Sequence, residues 1–240
     1  MRMCSWCAAL TCVCMSVVLS GPAWSASINL NLGSGTRITV PLQSFKDLRD
    51  QHVVRQAYDY SCGAAALATL LTYGLGDQVT EEDVLLFVLT SLSMDEKTVR
   101  KSQGLSLLDL QRFVQTRGHK AQGFKLAPQY LPQLKGPVIA FIKPRGYEHF
   151  AVLRGIRWDR VYLADPSLGN VRMAIGKFLD MWLDAQGQGI IFVVEAQESP
   201  WTAEYPLKLP SQGLPQPELL TTRQMLEIGN PYVLFQQLFR

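Results

Sequence analysis

The spacing of apolar residues changes about halfway along this chain. In the first half, three segments have helix-favouring composition or helix-start signals: 62–73, 80–89 and 106–117. Residues 91–104 lie between the second and third of these and are polar and charged. We therefore expect three helices, with residues 91–104 forming a loop or a frayed helix near solvent.

Local signals place the ends of these helices. Thr80 with Asp83, and Ser106 with Asp109, have the spacing of a capping box, in which side chain and backbone satisfy each other's hydrogen-bonding groups. The alanine-rich first segment runs into Gly74, which is predicted to follow the helix as its left-handed cap.

The second half has the pattern of strands. Short apolar runs bounded by Gly, Pro or charged turns predict five strands, at 137–142, 149–156, 161–166, 171–174 and 189–194. Further elements are predicted as a hairpin or edge strand at 27–40, a strand at 120–126, a helical turn at 128–134 and a helix at 176–183. Helices followed by an antiparallel sheet indicate an α+β fold, with a helical lobe packed on the sheet.

Composition is that of an ordinary globular protein. The 240 residues are 48% hydrophobic and 18% charged, with a net charge of +3 and no basic cluster, so nothing supports nucleic-acid binding. Six of the 13 prolines lie from Pro200 to Pro231. We divide the chain into a signal peptide at 1–25, an N-terminal extension at 26–52, a globular domain at 53–198 and a Pro-rich extension at 199–240.

The first 25 residues have the composition of an export signal. Arg2 is followed by an apolar stretch at 7–19, and Ala23-Trp24-Ser25 supplies small residues at the −3 and −1 positions of a cleavage site. The stretch is short for a membrane span, so removal is favoured over a retained anchor. We expect a periplasmic protein, with secretion the less favoured location and no membrane span in the mature chain.

Removal of this signal would leave one cysteine of five. Cys4, Cys7, Cys12 and Cys14 all precede the cleavage site, so Cys62 would remain without a disulfide partner in an oxidising compartment. It stands at the predicted start of a helix, where free N–H groups and the helix dipole favour a thiolate. The alternative is a buried packing residue.

Three histidines limit the choice of a general base. His52 lies in the loop before Cys62, and His119 follows a helix end, so both are expected at the surface. His149 opens an apolar strand directly after a turn, where its ring can project from the rim of the sheet towards a helix N-terminus.

Asp165 and Gln56 complete the set of candidate residues. Asp165 ends the strand that follows His149, and antiparallel pairing brings the two close, so the carboxylate can orient the imidazole. Before Pro166, it is equally suited to opening a turn. Gln56 lies six residues before Cys62, and its amide could stabilise an oxyanion, although loop glutamines are common.

Together these motifs resemble the C39 family of papain-like cysteine peptidases, the bacteriocin-processing or double-glycine peptidases. The resemblance covers 53–194 and rests on Gln-x₅-Cys-Gly-Ala-Ala-Ala-Leu-Ala, His-Phe-Ala-Val-Leu, Val-Tyr-Leu-Ala-Asp-Pro-Ser-x-Gly and Phe-x-x-x-Trp. It implies a papain-like fold, with Cys62 as nucleophile, His149 as general base and acid, Asp165 as orienting group and Gln56 as oxyanion donor. The exported chain resembles the stand-alone members that accompany functional-amyloid secretion.

The expected function is therefore that of an exported cysteine endopeptidase. We expect it to process a co-secreted protein or leader, in functional-amyloid or biofilm-fibre export, without metal or cofactor. Components of the secretion system are the expected partners. Two alternatives stay open: a cell-wall amidase or transglutaminase-like acyltransferase, and a non-catalytic binding or chaperone module.

Overall fold

The computed structural model describes residues 27–31, 37–42, 44–196 and 204–209. The predicted signal peptide and most of the predicted C-terminal extension lie outside these residues. Within the described part of the chain, no helix is long and apolar enough to cross a membrane.

Two compact units divide the chain, one ending at Ser44 and the other beginning at Phe45. The first contains strands β1 (Ser27–Asn31) and β2 (Arg37–Pro41), which pair antiparallel as the predicted hairpin.

The second unit begins with its helices. Their bounds are α1 (Phe45–Asp50), α2 (Cys62–Leu70), α3 (Glu81–Thr90), α4 (Met94–Gln103) and α5 (Leu107–Thr116). Both predicted capping boxes are confirmed, because Thr80 and Ser106 each accept from the backbone N–H three residues on and their carboxylate partners accept in return.

One prediction for this helical part holds in part and another is wrong. Residues 94–103 lie near solvent, as predicted, but they form the regular helix α4 in place of a loop or a frayed helix, because Ser93 and Glu96 build a third capping box at its start. Helix α2 does not end at Gly74: the chain continues as a π-helical turn, Leu71–Leu75, and Gly76 adopts the left-handed conformation that closes it.

A six-stranded antiparallel sheet follows the helices. Its strands are β3 (Lys120–Leu126), β4 (Val138–Ile142), β5 (His149–Arg157), β6 (Arg160–Asp165), β7 (Gly169–Ala174) and β8 (Gly189–Glu195), in the order β3-β8-β4-β5-β6-β7. Short 3₁₀ turns, Pro128–Gln133 and Pro144–Gly146, and helix α6 (Ile175–Trp182) connect them. Helices first and an antiparallel sheet second confirm the α+β class.

Both faces of the sheet are covered. On one face, Val152 and Phe192 pack with buried residues of α2, α3 and α5. On the other face, Leu153 and Leu163 pack with Phe178 and Trp182 of α6. The alternation of strand side chains thus divides the core into two layers, and α2 runs through the inner one next to β5.

Candidate active site

Cys62 is the first residue of α2, as predicted, and is only 6% exposed. Ser61 precedes it, but the Ser61 hydroxyl accepts from the Tyr58 N–H (3.1 Å) and donates to the Tyr58 carbonyl (2.7 Å) instead of capping the helix. The first turn of α2 therefore has no side-chain cap, and Cys62 lies at the positive end of an otherwise buried helix.

Gly63 brings this helix end close to the sheet. A Cβ added at Gly63 would lie 3.2 Å from a ring carbon of Phe150, which is tighter than an ordinary contact. Phe150 directly follows His149 on β5, so the missing side chain lets the start of α2 approach the start of that strand. This close approach is the local reason why Cys62 and His149 meet.

His149 and Asp165 form the pair that strand geometry predicted. Strands β5 and β6 are antiparallel, and the His149 Nε2 lies 3.0 Å from the Asp165 Oδ1. Cys62 also interacts with His149 and contributes to raising its pKa, and Nδ1 is the ring nitrogen that the contact with Asp165 leaves free. The imidazole thus lies between a thiol and a buried carboxylate.

These neighbours determine the protonation of the ring. Burial opposes a charged imidazole, but hydrogen bonds to Asp165 and Cys62, and the negative charges of both, outweigh it and raise the pKa of His149 to about 9. Below that pH the ring is an imidazolium, which can pair with a thiolate and donate a proton.

Asp165 also organises the loop after β6. Its Oδ1 accepts from the backbone N–H groups of Ser167 (2.7 Å) and Leu168 (3.0 Å). Burial favours the neutral carboxyl, but the imidazole and these two N–H donors hold the pKa of Asp165 below its ordinary value. The residue therefore opens a turn and binds the histidine with the same oxygen.

Gln56 lies where the loop before α2 meets the loop after β6. Its backbone N–H donates to the Pro166 carbonyl (3.1 Å), and its Oε1 accepts from the Ser167 hydroxyl (2.6 Å). Its Nε2 donates to the Tyr58 carbonyl at 2.9 Å, which leaves a second N–H on that nitrogen. We call these contacts between residues 55–56 and 166–167, together with the hydrogen bond from Arg55 Nη2 to the Ser167 carbonyl, the loop seam.

Glu81 supports the same loop, although the sequence assigned it only to the first turn of α3. Its buried carboxylate accepts from the Ala57 N–H with both oxygens, at 3.0 and 3.1 Å. Twenty-four residues separate the two groups, so no local pattern predicts the contact. Acidic residues are common at helix starts because they interact favourably with the helix dipole. The presence of Glu81 there therefore gives no sign that it also binds the loop.

The other two histidines lie away from this set, and neither is the freely exposed residue predicted. His119 is only 14% exposed and its Nε2 lies 3.2 Å from Asp77 Oδ2. His52 is partly buried with its ring 5.3 Å from that of Tyr73, and burial followed by the charge of Arg154 lowers its pKa. Within the described residues, no group of three or more His, Cys, Asp or Glu side chains is arranged to hold a metal ion.

Comparison with known proteins identifies the family. The Peptidase C39 family model matches residues 50–198, more than half of the chain. Two proteins described as probable functional amyloid protease FapD are each 36% identical. The one from Pseudomonas fluorescens aligns over 183 residues (76% of this chain, 77% of the relative), and that from Pseudomonas aeruginosa over 200 residues (83% and 81%). The chain therefore belongs to the Peptidase C39 family and is a cysteine peptidase.

The solved structures that match the chain include two peptidases of transporters. The peptidase domain of Streptococcus ComA, a bifunctional ABC transporter, is 20% identical with a TM-score of 0.49, covering 60% of this chain and 98% of that domain. A double glycine motif protease from an AMS/PCAT transporter, in complex with the leader peptide, is 25% identical with a TM-score of 0.48, covering 61% and 94%. Family membership confirms the resemblance drawn from the motifs and the papain-like fold class that it implied.

Proposed function

We propose that this protein is an exported, periplasmic endopeptidase that cleaves a co-exported polypeptide through Cys62, His149 and Asp165. The observation that carries the proposal is the position of His149, which is hydrogen-bonded to Asp165 and interacts with Cys62 strongly enough for that thiol to contribute to its raised pKa. A nucleophile, a base and an orienting group in contact are the requirements of acyl transfer through a thiol ester.

In the first half of the reaction, the Cys62 thiolate attacks the carbonyl carbon of the scissile peptide bond. The Cys62 N–H and the free Nε2–H of Gln56 stabilise the oxyanion that forms. His149, protonated below pH about 9, transfers its proton to the leaving amine as the C–N bond breaks. The product of this half is an acyl-enzyme with neutral His149.

Water completes the cycle. Neutral His149 takes a proton from the water that attacks the thioester, and the thiolate leaves as the carboxylic acid forms. The ring is again an imidazolium beside a thiolate, so no proton is gained or lost by the enzyme over the cycle. Asp165 keeps Nε2 engaged throughout, which leaves the other ring nitrogen for these transfers.

The relatives support the choice of substrate. Family membership supports a polypeptide, because the matching family is one of peptidases. Two relatives are named as functional amyloid proteases, so we infer a protein exported with amyloid or biofilm fibres as the substrate of this chain. Genes neighbouring this one are the first place to look for the substrate.

Replacing the nucleophile tests the proposal. We expect Cys62→Ala to abolish cleavage of the co-exported protein, followed by mass spectrometry, while circular dichroism and the unfolding midpoint stay close to those of the parent. Rapid labelling of the parent by a thiol-reactive peptide electrophile at neutral pH, absent in the variant, should accompany this. Cleavage by Cys62→Ala would contradict the mechanism.

A matched pair of variants separates the two roles of Gln56. Gln56→Glu keeps an oxygen that can accept from the Ser167 hydroxyl but removes the side-chain N–H donor. Ser167→Ala removes the hydrogen bond between Ser167 and Gln56 but keeps the N–H donor of Gln56. Oxyanion stabilisation predicts a fall in kcat of about 10²–10³ for Gln56→Glu and a much smaller one for Ser167→Ala. Equal losses in both would show that Gln56 acts only through the loop.

A further inference from the structure

A second concave site lies on the sheet, formed by residues other than Cys62, His149, Asp165 and Gln56. It is a cavity of about 560 Å³ bounded by α1, strands β5–β7 and residues 206–208. Five of its lining residues are basic types, and none is Asp or Glu: Arg49, His52, Arg154, Arg172 and Lys208. The cavity is therefore a place where positive charge is collected.

Arg154 is the deepest charge in this cavity. Its guanidinium donates to the Leu207 carbonyl (2.9 Å), the Asn170 Oδ1 (2.7 Å) and the Pro206 carbonyl (3.3 Å), all of which are neutral oxygens. It forms no ion pair with any residue that the structure describes, and burial lowers its pKa. A partly buried cation without a counterion is costly, and an anion entering the cavity would relieve that cost.

Arg172 adds a second cation on the same side of the sheet. It pairs across strands with Tyr162, which in turn pairs with Gly155 next to Arg154. The Arg172 side chain has no hydrogen bond or ion pair within the described ranges, whereas Arg49 and Lys208 are matched by Asp50 and Glu204. Two adjacent arginines thus remain without counterions.

We propose that this cavity binds a carboxylate of the polypeptide substrate, an Asp or Glu side chain a short distance from the cleavage point. The guanidinium fork binds carboxylates with two parallel hydrogen bonds, and Arg154 keeps two N–H groups that the neutral oxygens do not use. Leu168 lines the cavity, and its N–H binds Asp165. The cavity therefore adjoins the turn that follows Asp165, and in this proposal an extended substrate passes from this turn to Cys62.

Apolar walls favour a peptide over a small free anion. Phe45, Leu48, Leu168 and Val171 line the cavity beside the arginines. Such a mixture fits an acidic residue flanked by aliphatic ones. The identity of the ligand as a polypeptide rests on the proposed function, while the need for an anion rests on Arg154 and Arg172 alone.

Binding can be measured without cleavage. The full chain carrying Cys62→Ala is titrated by calorimetry with acetyl-Gly-Glu-Leu-Glu-Gly-amide, with the same peptide carrying Gln for Glu, and with inorganic phosphate. We expect the acidic peptide to bind, the Gln peptide to bind at least about tenfold more weakly, and the affinity to fall with added salt. Adding Arg172→Gln to this protein should weaken the binding of the acidic peptide by about tenfold.

Arg160→Gln is the matched control, because it removes the same charge from a nearby strand residue outside the cavity. Arg154→Lys is a second cavity variant that keeps the charge but loses the fork; Arg154→Gln is avoided because Arg154 holds residues 206 and 207.

Each outcome decides a point. Equal affinity for the Glu and Gln peptides, or equal loss in Arg172→Gln and Arg160→Gln, would overturn the site. Phosphate that competes as well as the acidic peptide would overturn its assignment to a polypeptide. If Cys62→Ala binds the acidic peptide but the parent protein cleaves no substrate, the proposed function is contradicted, whereas the proposal of an anion site in the cavity is retained.

Discussion

Replacing Asp165 by asparagine should move the pKa of His149 by an amount that can be measured directly. The asparagine side chain would keep an Oδ1 to accept from the Ser167 and Leu168 N–H groups, so the loop is preserved. What disappears is the negative charge 3.0 Å from the His149 Nε2. The variant thus isolates the electrostatic contribution of the carboxylate.

The magnitude follows from the two anions around the ring. The pKa of His149 is raised from 6.5 to about 9, and since one pH unit is worth about 1.4 kcal/mol, this favours the imidazolium by about 3 kcal/mol. An opposite charge at contact shifts a pKa by about 1–3 units. We therefore expect the pKa of His149 to fall by about that amount in Asp165→Asn, with Cys62 accounting for the remaining elevation.

Proton NMR of the histidine rings is the assay. The chain has three histidines, and His149→Gln identifies the His149 resonance. Asp77→Asn is the matched control, because Asp77 lies 3.2 Å from the Nε2 of a different histidine, His119. A His149 pKa that is the same in parent and Asp165→Asn, or that falls equally in Asp77→Asn, would refute the reasoning.

The same pair makes stability depend on pH. Because the folded pKa of His149 is raised, its contribution is fully present below pH about 6.5 and is lost as the pH rises through about 9. Because the pKa of Asp165 is lowered, its contribution is present above the ordinary carboxyl range and is lost in acid. The free energies of unfolding of parent and Asp165→Asn should therefore differ most at about pH 5–7, and the difference should narrow as the pH rises through about 9.

Two further variants test individual packing and hydrogen-bond contacts, both by urea unfolding. Gly189→Ala should lower the free energy of unfolding by about 3 kcal/mol, because the added Cβ would overlap the indole of Trp182. Gly176→Ala is the control, because a Cβ there meets open space and should leave stability unchanged. Equal urea midpoints for the two variants would contradict the tight contact at Gly189. Glu81→Gln should lower the free energy of unfolding by about 1 kcal/mol, and it should lower kcat because the loop before α2 is held less firmly. Glu82→Gln, at an exposed position, is the control. A loss of stability in Glu81→Gln no larger than that in Glu82→Gln would contradict the role of Glu81.

Much of this fold can be predicted from local patterns. Capping boxes at Thr80 and Ser106 each need only a four-residue stretch, and the sheet strands are short apolar runs between turns, so both are readable without tertiary information. His149 and Asp165 could be paired for the same reason, because one hairpin joins their strands. Cys62 could be identified as a candidate because its helix start is visible in the local sequence.

The misses have two physical causes. Helix α4 was predicted as a loop or a frayed helix because its segment is polar and charged, although Ser93 and Glu96 offered the capping signal of a regular helix. Glu81, by contrast, contacts Ala57 through a fold that only long-range packing creates. The counterion-free state of Arg154 likewise depends on which elements surround it and has no signal in the neighbouring residues.

The loop seam joins the two walls of the site across the chain. Gln56 and Ser167 are 111 residues apart in sequence, yet the seam places the Gln56 amide proton on the Pro166 carbonyl. That proton can exchange with solvent only when the two loops separate, an event that also detaches the residues next to Asp165 from those leading to Cys62. The exchange rate at this single amide therefore reports how often the loop that leads to Cys62 separates from the loop that follows Asp165.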